Sequence, residues 1–127
     1  MSVEELRQSP MMSYLMDALD NGEDIGHYGQ LAFAIVARFF LSDNEVLEYL
    51  QKSPNVSEED ARTLLAEVKQ KNYNPPQRGT ILEWQQQQDF QICPEDDPDS
   101  CNVYKRLKFP DEVYEHANEY ARQKANL

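Results

Sequence analysis

Between Leu31 and Leu41 only Arg38 is polar. A helix that is apolar on every side must be covered on most sides. The run therefore predicts the central helix of a small all-α domain, from about Asp24 to Leu41, with the other segments packed around it. Leu31, Phe33, Ile35, Val36 and either Phe39 or Phe40 are the expected centre of the core. The first turn, Gly26-His27-Tyr28-Gly29-Gln30, differs in kind. Each glycine inside a helix costs about 1 kcal/mol against alanine. Either the glycines allow close packing, or they let a ligand or nucleic-acid backbone approach the helix N-terminus.

Capping chemistry recurs along the chain. Ser2 and Glu5 have capping-box spacing. Ser9-Pro10 reads as N-cap and first residue of a helix whose apolar face is Met11 or Met12, Leu15, Met16 and Leu19, ending at Asn21-Gly22. Ser42 to Glu45 opens a short helix that turns Val46, Leu47, Tyr49 and Leu50 inward. Ser53-Pro54-Asn55 breaks it. Ser57 starts a helix to about Lys71 with Ala61, Leu64, Leu65 and Val68 at helical spacing. Asn72-Tyr73-Asn74-Pro75-Pro76 must be extended or turn-like, because proline restricts the residue before it.

The C-terminal part reads as less regular. Thr80 and Glu83 form a capping-box pair, and Gln85 to Gln88 reads as a solvated helix end. Phe90 to Asn102 is a loop. Val103 to Phe109 is a short strand or an irregular segment. Pro110-Asp111 begins a last helix that turns Val113, Ala117, Tyr120 and Ala121 inward. The whole is a single domain over residues 1–127, the length of one modest core.

The formal net charge of -11 argues against broad nonspecific binding to nucleic acid or anionic membrane. No apolar run reaches membrane length, and no signal-peptide pattern is present, so a soluble cytoplasmic protein is expected. Cys93 and Cys101 are either free thiols, a disulfide or two ligands of a metal site, to which His27 and His116 are the only histidines to add. Glu95, Asp96, Asp97 and Asp99 lack the glycine of a calcium loop and read as a solvated acidic loop. Motifs for a nucleophile elbow, a phosphate-binding loop or a zinc protease are absent, so the expectation is a protein that is not an enzyme.

Two basic islands stand out. Lys69, Lys71 and Arg78 flank Tyr73, and Lys105, Arg106 and Lys108 lie beside Tyr104. Cations mixed with aromatic rings are what single strands and primer ends use, through phosphate contacts and base stacking. The alternative is that they offset nearby acids.

The ordered series Ser9-Pro10-Met11, Asn21 to His27, Leu31 to Phe40, Ser42-Asp43-Asn44-Glu45-Val46, Ser53-Pro54-Asn55-Val56, Tyr73-Asn74-Pro75-Pro76, Ile92-Cys93-Pro94 and Cys101 resembles the C-terminal domain of the large subunit of archaeal and eukaryotic DNA primase. That family holds an iron–sulfur cluster on four cysteines. Cys93 and Cys101 match the last two, while Met11 and Gln77 stand near the places of the first two. Gln30 matches the arginine that the family uses on phosphates. The resemblance implies a noncatalytic relative without cluster or other cofactor. It would bind a nucleic-acid end (primer-template or single-stranded), a nucleotide phosphate or a replication partner. The residues it and the basic islands nominate are His27, Gln30, Arg38, Tyr73, Arg78, Lys105 and Arg106. The alternative is an acidic protein-interaction module that kept the fold and lost nucleic-acid binding.

Overall fold

Serine side chains start the helices. A computed structural model of the chain describes residues 2–94 and 98–115. In it, the hydroxyls of Ser2, Ser9, Ser42 and Ser57 accept from the backbone N–H groups of Glu5, Met12, Glu45 and Asp60. Glu45 and Asp60 return the bond to the N–H of their own cap, at 3.0 and 3.2 Å. Such caps are each worth about 1 kcal/mol against alanine. They define α1 (Val3–Leu6), α2 (Pro10–Asp20), α4 (Asp43–Leu50) and α5 (Glu58–Lys71).

Between them runs α3 (Gly26–Ala37). Later come α6 (Arg78–Gln85), a 3-10 turn (Pro98–Cys101) and α7 (Val103–Arg106), and residues 111–115 are again helical. The fold is all-α, with no strand among the described residues. Helices α2, α4, α5 and α6 all pack on α3. Phe33, Ile35, Val36 and Phe40 are buried at the centre, with Leu15, Met16, Leu50, Leu65 and Val68 among the residues around them.

Several boundaries differ from the sequence reading. Helix α3 stops at Ala37, and Phe40 and Leu41 bond back to the Ala37 carbonyl in a turn. Phe39 lies beyond the helix and Leu31 lines a groove, so both are only partly covered. Phe39 instead stacks with Arg38, whose guanidinium carbon lies 4.2 Å from the ring centre. Helix α6 begins at Arg78, so Thr80 and Glu83 lie inside it rather than forming its cap. Pro75 and Pro76 hold the chain extended up to Gln77, and the helix starts at once. Val103 to Arg106 is helical, not a strand. Val113 is buried as expected. Ala117, Tyr120 and Ala121, with His116, Glu95, Asp96 and Asp97, lie outside the described residues.

Gln85 to Gln88 is a helix end of which only Gln86 and Gln87 are exposed. Gln88 Oε1 accepts from the Tyr28 N–H at 2.9 Å, and its Nε2 donates to the carbonyls of Ile25 and Phe90 at 2.9 and 3.0 Å. Gln85 Oε1 accepts from the Cys93 N–H at 2.9 Å. Two polar side chains thus fasten the C-terminal part to the helical body.

Candidate binding groove

The extended segment after α5 builds one wall of a groove. Asn72 ends α5 in the left-handed conformation, φ 50°. The chain then passes Tyr73, Asn74 and the buried Pro75 and Pro76 into α6. Arg38 holds this wall from behind. Its Nη2 donates to the Tyr73 carbonyl at 2.7 Å and to Asn72 Oδ1 at 3.1 Å. Burial pushes the Arg38 pKa down, partly opposed by Glu112. Tyr104 on α7 donates its hydroxyl to the Pro75 carbonyl. Burial first, and then the neighbouring Tyr114, raises the Tyr104 phenol to about 12.

The groove encloses about 340 Å³ and is lined by Leu31 and Ile35 of α3, Tyr73 to Gln77, Thr80 and Trp84 of α6, and Tyr104. None of these side chains is charged. Trp84 stacks on Tyr28 with ring centres 5.5 Å apart and planes 25° apart, and Tyr28 donates to Gln87 at 3.1 Å. The result is a fixed aromatic and proline surface edged by the amides of Asn74 and Gln77. It offers flat faces for stacking and donor and acceptor groups for an edge.

The cations next to the lining form a mouth. Arg78 follows Gln77, and Lys105 follows Tyr104. Arg78 Nη1 lies 2.8 Å and Lys105 Nζ 3.9 Å from the carboxylate of Asp99. Arg106 and Lys108 are exposed and make no ion pair with a described residue. By contrast, Lys69 and Lys71 are paired with Asp43 and Glu67, at 2.8 and 3.0 Å. Those two lysines offset nearby acids.

Of the nominated residues, Tyr73 lies in the lining, and Arg78 and Lys105, each next in sequence to a lining residue, meet at Asp99; Arg106 is exposed beyond them. His27 and Gln30 do not join them. They line a separate depression of about 560 Å³ with Asp24, Glu59, Asp60 and Glu67, an acidic setting that repels phosphate. Arg38 supports Tyr73 through its backbone instead of facing a ligand.

The glycines of α3 serve packing. Gly26 has φ +75°, and a Cβ there would meet the Gln88 amide at 2.5–2.7 Å. A Cβ at Gly29 would lie 3.0 Å from Ile25 Cβ. The N–H groups of Gly26 and Tyr28 are taken by Asp24 and Gln88, so these amides are not open to a phosphate.

Cys93 and Cys101 are joined in a disulfide, their Cα atoms 5.2 Å apart. The donor set does not fit a cluster on four thiolates: the chain has two cysteines, and they are bonded to each other. Met11 is buried in the apolar core, and Gln77 is the exposed N-cap of α6. Among the described residues no helix is long and apolar enough to cross a membrane.

The sequence reading missed Trp84, Tyr104 and the glutamines. Tyr104 was noted beside a basic island but not nominated, and nothing local marks the ring of Trp84 as lining a groove. No family model matches the sequence, and neither a curated protein nor a solved structure matches it.

Proposed function

We propose that this chain is a noncatalytic binding module, similar in build to the C-terminal domain of the primase large subunit. Its groove takes an unpaired base or nucleotide at a nucleic-acid end. The supporting observation is the uncharged aromatic groove of Tyr73, Trp84 and Tyr104, with Arg78 and Lys105 next in sequence to its lining residues Gln77 and Tyr104. A base needs a flat face, and its phosphate needs converging cations. Helix α2, which carries Met11, and helix α6, which follows Gln77, both pack on the turn containing Cys101. That proximity is in keeping with the primase resemblance.

The test is binding of a fluorescent single strand and of a 5′-triphosphate primer end across a salt series. Binding is expected at low salt and to fall steeply as salt rises. Arg78→Gln and Arg106→Gln should each weaken it and flatten the salt slope by about 0.7 for each lost contact to a single strand. Absence of binding at low salt, or indifference to both arginines, would end the nucleic-acid reading.

One observation favours a second reading. Asp99 already pairs with Arg78 and lies near Lys105, offsetting one of their two charges, and the chain carries a net charge of -11. On that reading the same groove holds an apolar segment of a protein partner. Binding would then be insensitive to salt and to Arg106.

A further inference from the structure

Asp99 ties together two cations, Arg78 and Lys105, that follow the groove-lining residues Gln77 and Tyr104. It sits in the turn Pro98–Cys101, whose Ser100 and Cys101 are buried. Cys101 is bonded to Cys93, and the Cys93 N–H donates to Gln85 at the end of α6. Ser100 Oγ lies 3.1 Å from Cys93 Sγ. The exposed carboxylate is therefore presented by a turn pinned to α6, not by a free loop. An isolated surface pair is worth little because both side chains must be ordered to make it. Here the backbone of one partner is already fixed.

One Asp99 oxygen lies 2.8 Å from Arg78 Nη1 and the other 3.9 Å from Lys105 Nζ. A carboxylate between a guanidinium and an ammonium has the charge sign and acceptor geometry of phosphate oxygens. We propose that Asp99 occupies the seat of a ligand phosphate and so determines which ligand charge the groove accepts. A neutral base or nucleoside enters uncontested. A phosphate must displace Asp99 or face it across the same two cations. This inference rests on the groove reading proposed above.

Trp84 is the chain's one tryptophan and lines the groove, so its fluorescence reports occupancy directly. The experiment titrates adenosine and adenosine 5′-monophosphate into the intact chain and its Asp99→Asn variant at low salt. Adenosine should quench both proteins with the same affinity. The monophosphate should bind the variant about fivefold more tightly, the effect of removing one nearby like charge in high dielectric. Adding Arg78→Gln should abolish that gain. If adenosine binds but Asp99→Asn leaves the monophosphate affinity unchanged, the assignment of Asp99 is overturned and the groove reading stands. If neither compound quenches either protein, the groove reading fails and the inference fails with it.

Discussion

Phe33 is fully buried against α4, its ring 5.7 Å from that of Tyr49. Phe33→Ala removes a large side chain from a site with no solvent to refill it and should cost about 3–5 kcal/mol in urea unfolding. Gly26 and Gly22 offer a matched pair. Both have positive φ, +75° and +72°, but only Gly26 faces a close neighbour, the Gln88 amide. Gly22→Ala should cost about 1–2 kcal/mol through its left-handed backbone alone. Gly26→Ala should cost more in the same measurement, because Gln88 must also give up its bond to Tyr28. Phe33 was legible because an apolar run of that length leaves its middle nowhere else to go. The purpose of Gly26 was not, because its contact comes from a residue far along the chain, in a glutamine run that carries no positional signal.

Tyr104 belongs to the same scale. Its folded pKa, about 12, lies above the ordinary value of 10.0. The neutral phenol is the form that the fold favours, so its contribution is complete below pH 10. It is lost as pH rises through the window from about 10 to 12. Ultraviolet titration of the seven tyrosines should show a late component near pH 12 that disappears in Tyr104→Phe. The variant should also lose part of the alkaline fall in stability within that window.

Among the elements, the serine-capped helices were legible because a cap is a local arrangement of three or four residues. Helix α6 was misplaced by three residues because Thr80 and Glu83 have the right spacing while the prolines upstream decide where the helix starts. The C-terminal segments were least legible, since they are held by distant partners: Gln85 on Cys93, Tyr104 on Pro75, and the disulfide. The cysteines are eight positions apart. Closing a loop of that size stabilises by about 2–3 kcal/mol in the chain-entropy description. Cys101→Ser should therefore lower stability by about that amount in denaturant melts without reductant. With a dithiol reductant present, most of the difference should vanish.

For the whole molecule, charge and shape point to different surfaces. The net charge of -11 disfavours a general polyanion binder, and His27 and Gln30 lie in an acidic depression. The aromatic groove is uncharged, and Arg78 and Lys105 follow two of its lining residues. The sequence showed that cations and rings are neighbours along the chain, but not which islands are already paired. Lys71 meets Glu67 one helical turn away on α5, a spacing the sequence carries, whereas Lys69 meets Asp43 only because α4 packs on α5.

Backbone and indole NMR shifts, followed while a short single strand is added at low salt, separate the two surfaces in one titration. The predicted result is a set of changes confined to Tyr73, Asn74, Gln77, Arg78, Thr80, Tyr104, Lys105 and the Trp84 indole N–H. Changes centred on His27, Gln30 and Thr63, or none at all at saturating strand, would contradict the groove as the binding face.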